Sequence, residues 1–182
     1  KEFVSSDTHF NHINIVLPTY ANRYIFRDIP HMNEGLVEAW NSIVGPDDIV
    51  YHLGDMLMGK LEDGEKYLKR LNGTIHLVSG NHDKKALTRD WFRTYFASIQ
   101  ESLVIERIGR KIFLHHYFDK YKFKDSACDY MLHGHSHTQG RSQDSAQALD
   151  IGVDAAFSLL GSYRPFTLEE AIGIIENGVT DD

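Results

Sequence analysis

Short apolar runs that break off into polar residues recur along the chain. Phe3-Val4-Ser5-Ser6 leads into Asp7-Thr8-His9, and Ile49-Val50-Tyr51-His52-Leu53 leads into Gly54-Asp55. Ile75-His76-Leu77-Val78 leads into Ser79-Gly80-Asn81-His82-Asp83. Ile112-Phe113-Leu114 leads into His115-His116-Tyr117, and Tyr130-Met131-Leu132 into His133-Gly134-His135-Ser136-His137. Their length and β-propensity predict buried strands. Helical spacing fills the intervals. Met32, Leu36, Ala39, Trp40 and Ile43 predict a helix stopped by Gly45-Pro46, and Leu61, Leu68 and Leu71 predict one ending at Asn72-Gly73. Leu87, Trp91 and Tyr95 predict a third, and Thr167-Leu168-Glu169-Glu170 reads as a capping box opening a last helix. Leu103 to Ile108 and Lys111 to Leu114, joined by a Gly109-Arg110 turn, predict a hairpin. Alternating strands and helices define an α/β domain, in which ligands gather beyond the carboxyl ends of strands. All five polar clusters fall there.

Composition narrows the class. The 182 residues hold no repeat, linker or low-complexity tract, so a single domain over residues 1–182 is expected. Hydrophobic residues at 42% and charged residues at 25% are ordinary for a soluble globular protein. No apolar run reaches bilayer-spanning length, and Lys1 to Ser6 reads as a strand running into polar residues rather than as a leader. The lone Cys128 leaves no internal disulfide and fits a reducing compartment, so a cytoplasmic protein without membrane association is expected. A net charge of −7 argues against non-specific nucleic-acid binding.

Candidate chemistry lies in the clusters. Each alone has a bland reading: Gly-Asp is a turn, and Asn-His-Asp after a strand is a helix cap. Their co-occurrence at five strand ends is what carries weight. Asp7, His9, Asp55, Asn81, His116, His135 and His137 together offer hard oxygen and imidazole nitrogen. That mixture suits manganese, iron or zinc rather than a structural cysteine site. Seven ligands exceed what one ion needs if water or substrate also binds, so two ions sharing one carboxylate fit better.

The ordered series Asp7-x-His9, Gly54-Asp55, Gly80-Asn81-His82-Asp83, Leu114-x-His116 and Gly134-His135-x-His137 resembles that of the calcineurin-like metallophosphoesterases. It spans positions 7 to 137. The opening Ser6-Asp7-Thr8-His9-Phe10-Asn11-His12 is similar to a subgroup of small phage and bacterial phosphoesterases, which implies a bacterial or phage-infected host cytoplasm. The resemblance implies two packed mixed β-sheets flanked by helices. It implies two divalent ions, manganese foremost, with iron, zinc or nickel as alternatives. Asp7, His9 and His137 would hold one, Asn81, His116 and His135 the other, and Asp55 would bridge. His82 would lie beside the phosphate as a catalytic residue, with Asp83 orienting it. The activity implied is hydrolysis of a phosphate ester by metal-activated water, as phosphodiesterase or phosphatase. The substrate could be a small metabolite, a nucleotide or a nucleic-acid end. Strand alternation and the Leu-x-His spacing choose His116 over His115.

Other residues leave alternatives open. His52 and His76 lie inside strands and read as core or face residues. His115 belongs to the opposite face, and His31 reads as exposed. His133 is either a wall of the site or structural. His12 follows the first cluster and is either a substrate contact or a neighbour. Arg23 is either a bidentate phosphate contact or part of a solvated loop with Asn22 and Arg27. Residues 119–125, with Lys120, Lys122 and Lys124, form either a solvated basic loop or a border of the leaving-group side. Residues 138–148 are polar and form either a plain surface loop or part of the entrance.

Three rival classes compete with a phosphoesterase. The His-x-His-x-Asp-His signature of metallo-β-lactamase-like hydrolases fails, because Thr138-Gln139 follow His137. A non-catalytic scaffold is disfavoured because every ligand position is filled and His82 is present. A nucleic-acid module would need a basic aromatic face, which only residues 120–124 approach. Two dications would offset four of the seven net negative charges, so an anionic substrate fits this acidic chain.

Overall fold

The computed structural model describes residues 1–17, 21, 23–137 and 145–178. Asn22 and most of the 138–148 segment lie outside them. Two mixed sheets pack face to face. The first contains β1 (Glu2–Ser5), β2 (Ile49–His52), β3 (Thr74–Val78), β4 (Ser98–Gln100) and β9 (Phe166–Thr167), in the order β4-β3-β2-β1-β9. Its pairs are parallel except β1–β9. The second contains β5 (Ser102–Arg107), β6 (Arg110–His115), β7 (Tyr130–His133) and β8 (Ala148–Asp150), in that order, with only β5–β6 antiparallel. The helices are α1 (Ile29–Asn41), α2 (Leu61–Leu68), α3 (Asp83–Ala86), α4 (Asp90–Arg93), α5 (Lys120–Ser126), α6 (Val153–Leu160) and α7 (Leu168–Asn177). None among the described residues is long and apolar enough to cross a membrane.

Period-two alternation builds the layers. Phe3, Val50, Ile75 and Leu77 face outward from the first sheet onto Met32, Leu36 and Trp40 of α1 and Leu61 and Leu68 of α2. Their strand neighbours Val4, Leu53 and Val78 face Ile112, Leu114, Leu132 and Leu149 of the second sheet, joined by Ala171, Ile172 and Ile175 of α7. Phe113 and Met131 point to the far side and meet Phe118, Phe123 and Cys128.

All five predicted strands are present, as are the first two predicted helices and the capping box, in which Thr167 and Glu170 serve each other's backbone amides. The third predicted helix is not continuous. It divides into α3 and α4, because Arg89 is extended at φ −99 and ψ 121. Leu87, Trp91 and Tyr95 still pack on one core, so their spacing recorded a shared apolar face rather than an unbroken backbone. The hairpin turns one residue earlier than predicted, at Ile108 and Gly109 (φ 56 and 66), between the paired Arg107 and Arg110. Residues 120–126 are helical rather than loop, because Asp119 caps the amides of Tyr121 and Lys122.

The parallel strands β1, β2 and β3 and the parallel pair β6 and β7 end at the same edge of the sandwich. Ser6, just past β1, bridges Gly152, just past β8, which locks the two sheets together there. At the opposite edge, Trp40 is 2% exposed and donates from Nε1 to Asn72 O at 2.9 Å, which ties the end of α1 to the turn leading into β3. Trp40→Ala should cost about 3–5 kcal/mol in urea denaturation. Trp40→Phe, which keeps most of the volume and loses the N–H bond, should cost about 1–2 kcal/mol. Equal losses for the two would contradict this packing.

Candidate metal centre

The chain turns sharply at the ends of β1, β2 and β7. Asp7, His9, Asp55, His135 and His137 all adopt left-handed backbone angles, with φ between 48 and 67. Such residues cost about 1–3 kcal/mol each and persist only where the surroundings hold them. The holding contacts are visible. Asp7 N donates to Gly54 O and His9 N to Asp55 O, both at 2.9 Å, so the ends of β1 and β2 lock together. Gly54 has φ 99, and a Cβ there would stand 2.8 Å from His116 Nδ1. A Cβ on Gly134 would overlap Ser6 Oγ and Asp7 Oδ2, so only glycine lets β7 approach β1 this closely.

Two groups of side chains converge. Asp7, His9 and His137 form the first, and Asp55, His116 and His135 the second, with one ligating atom from each within 4.8 Å of the others in its group. In the first, His9 Nε2 and His137 Nε2 stand 3.6 and 3.8 Å from Asp7 Oδ1. In the second, His116 Nε2 stands 3.4 Å from Asp55 Oδ2 and 3.1 Å from Asn81 Oδ1. Asp55 Oδ2 also lies 3.6 Å from His9 Nε2, so this one oxygen faces both groups.

Several of the remaining atoms of these side chains are spoken for. His116 Nδ1 meets Leu53 O at 2.6 Å and His137 Nδ1 meets Asp154 Oδ2 at 2.7 Å, which turns both Nε2 atoms inward. Asp7 Oδ2 accepts from His135 N at 2.8 Å and Asp55 Oδ1 from His82 N at 2.9 Å. By contrast, Asp7 Oδ1 and His9 Nε2 are buried with no hydrogen-bond partner. Orphaned buried polar atoms are rare and costly. Here they face each other across a gap lined by oxygen and imidazole nitrogen, which fits a divalent ion and not an apolar ligand.

Electrostatics agree. Burial works against a charge on Asp7, but His9, His137 and His116 hold it well below the usual carboxylate range. Burial likewise opposes a charge on Asp55, and His116 and His9 overcome it. Burial opposes a proton on His116, yet Asp55 and Asp7 raise its pKa to about 9. Burial lowers His9 and takes His12 down to about 4.

The other sequence candidates fall into place around these groups. The His82 ring is exposed at the mouth, 5.6 Å from His9 between ring centres, and the half-buried His12 ring lies 5.4 Å from His9. His133 is buried against Phe118, outside both groups. His52 is a core residue between Thr8 and Trp40, driven by burial to a pKa of about 3, and His76 stacks on Tyr51.

Two assignments need correction. Asp83 does not orient His82. Its carboxylate accepts backbone N–H groups from Asp55 and Gly80, each at 2.8 Å, and from Met56 at 3.0 Å. It is therefore a clamp between the ends of β2 and β3. Arg23 is not a phosphate contact, because it is fully buried. Its guanidinium makes a two-point pair with Asp154 at 3.0 and 2.9 Å, donates to Thr8 O at 2.7 Å, and donates to Asp7 O.

Asp154 was missed. It ties His137, Arg23 and the Asp7 turn into one buried network. The available signal was a single carboxylate in the otherwise apolar run from Ile151 to Phe157.

With this geometry in hand, the relationships are plain. Residues 3–153 match the model of the calcineurin-like phosphoesterase superfamily domain, and the chain belongs to that superfamily. An uncharacterized protein of Methanocaldococcus jannaschii is 32% identical over 185 residues, covering 98% of this chain and 93% of its own. The gene 66 protein of Mycobacterium phage L5 is 32% identical over 82 residues, 43% of this chain and 38% of that protein. A solved structure of a protein of unknown function from Aquifex aeolicus superposes with a TM-score of 0.71 at 25% identity, covering 95% of this chain and 98% of the other.

Removing Asp154 strands a buried guanidinium. Asp154→Ala should therefore lower stability by about 3–5 kcal/mol in urea denaturation under chelator. Adding Arg23→Met should restore part of that loss. A double variant as unstable as the sum of the singles would refute the pairing.

Proposed function

We propose that the protein hydrolyses phosphate esters, phosphodiesters foremost, using two divalent ions, with manganese the best fit. Asp7, His9 and His137 would hold one ion and Asn81, His116 and His135 the other, with Asp55 shared. The observation that carries this reading is the position of Asp55 Oδ2, 3.6 Å from His9 Nε2 and 3.4 Å from His116 Nε2. When bound, the ions would supply an activated water and offset charge on the phosphoryl oxygens.

The chain's own residues do the rest. Asp83 fixes the spacing of Asp55 and Asn81 by bonding the backbone beside each. Arg23 and Asp154 fix the ring of His137. His82, its backbone pinned by Asp55, presents a ring nitrogen at the mouth to hand a proton or hydrogen bond to the leaving oxygen. The exposure of His82 and His135 supports an open site that admits diesters and polymer ends. A cytoplasmic setting and a nucleotide or nucleic-acid substrate are compatible with the same reading.

The direct test is turnover by manganese-loaded protein of bis-p-nitrophenyl phosphate, p-nitrophenyl phosphate, cyclic nucleotides and short RNA and DNA. Diester hydrolysis exceeding monoester hydrolysis, and abolished by chelator, is expected. Monoester preference would make it a phosphatase. No turnover with manganese, iron, zinc or nickel would leave a non-catalytic metal-binding member. Within an active protein, His82→Asn should retain its metal. It should lose about 10²–10⁴-fold in rate with an alkoxide leaving group, and less with p-nitrophenolate, which leaves without a proton. Equal losses on both would assign His82 to the phosphoryl group instead.

A further inference from the structure

A cavity of about 370 Å³ opens directly beside the second ligand group and is used by none of the steps above. Its wall includes Asn81, Lys84, Glu101, His115, Tyr117 and Lys122. Asn81 belongs to both places, since its Oδ1 lies 3.1 Å from His116 Nε2. The Tyr117 ring stands between them, 4.8 Å from the ring of His116 and 4.6 Å from that of His135. A molecule whose phosphoryl group sat at the ligand groups would therefore extend one arm into this cavity.

The charge of the wall says what that arm carries. Lys84 and Lys122 are both exposed, and among the described residues neither is paired with a carboxylate. Lys122 is held rather than loose. Asp119 caps its backbone amide, and its Nζ lies 3.3 Å from His115 Nε2, while His115 Nδ1 lies 2.8 Å from Tyr117 O. Lys84 follows directly on the Asp83 clamp, so its backbone is fixed to the strand ends. Asp119 offsets part of the Lys122 charge, but neither ammonium is engaged in an ion pair among the described residues, so the two together form a point-charge site for an anion. Glu101, on the same wall, opposes an anion next to it but is outnumbered by the two lysines, and it can accept from a hydroxyl of the arm. The 370 Å³ volume accommodates a sugar-sized arm and not a long chain.

We propose that this cavity binds a second phosphoryl group of the substrate, so that the preferred substrates are phosphate esters carrying another phosphate on one ester arm. A nucleotide and a sugar bisphosphate both offer that chemistry. The inference rests on the phosphoesterase reading for its kinetic test, but not for its binding test.

The kinetic test compares thymidine 5′-(p-nitrophenyl phosphate) with the same ester bearing a 3′-phosphate. The wild type should show a lower KM for the 3′-phosphorylated form. Lys84→Ala and Lys122→Ala should each shrink that advantage about threefold, and together about tenfold, as expected for exposed charge pairs. The readout is the KM ratio, with kcat little changed. No preference in the wild type, or equal losses on both esters, would overturn the proposal.

If no ester is hydrolysed, the phosphoesterase reading fails while the pocket remains testable by calorimetry. Thymidine 3′,5′-bisphosphate and fructose 1,6-bisphosphate are titrated into wild type and double variant. Binding that weakens about tenfold in the double variant supports the proposal, and the tighter ligand identifies the source. Equal binding by both proteins overturns it.

Discussion

Two carboxylates, Asp7 and Asp55, are buried side by side at the ends of adjacent parallel strands, and the architecture around them serves to hold that charge. Neither is more than 1% exposed. Buried anions are tolerated only when paired, hydrogen-bonded or bound to metal. One oxygen of each is satisfied by a backbone amide, from His135 and from His82. The other oxygen of each faces imidazole nitrogens at 3.4 to 3.8 Å, too far for hydrogen bonds and well spaced for ligands around an ion. Strand order, glycine placement and the left-handed turns all follow from bringing these groups to one edge.

A ring of buried support lies behind the ligands. Asp83 bonds three backbone amides and so fixes how far β2 stands from β3. Asp154, held below the usual carboxylate range against its burial by Arg23 and His137, connects α6 to the first ligand group. Arg23 completes the link by reaching the carbonyls of Asp7 and Thr8. Removing any of these would displace candidate ligands without deleting one.

Much of this was legible in the sequence. Apolar runs ending in polar clusters located all five site-bearing strands, because buried parallel strands are continuous apolar segments whatever their partners. The candidate ligand residues stood out because each cluster joins a turn former to a donor side chain. Less legible were β4, β8 and β9, which span only three, three and two residues and take their identity from the strands beside them. The helix α6 was hidden because Val153 to Leu160 is apolar nearly all round. The roles of Arg23 and Asp83 were misjudged for a common reason. A sequence shows that a charged residue is near a motif, but not whether its side chain points toward substrate or back into the protein. The partners of Arg23 lie as far as 131 positions away, beyond any local pattern.

Anomalous diffraction from manganese-loaded crystals tests the shared-carboxylate arrangement most directly. The account predicts two peaks. One is ringed by Asp7, His9 and His137, the other by Asn81, His116 and His135, and the Asp55 carboxylate contacts both. A single peak, or two peaks of which Asp55 touches only one, would contradict it.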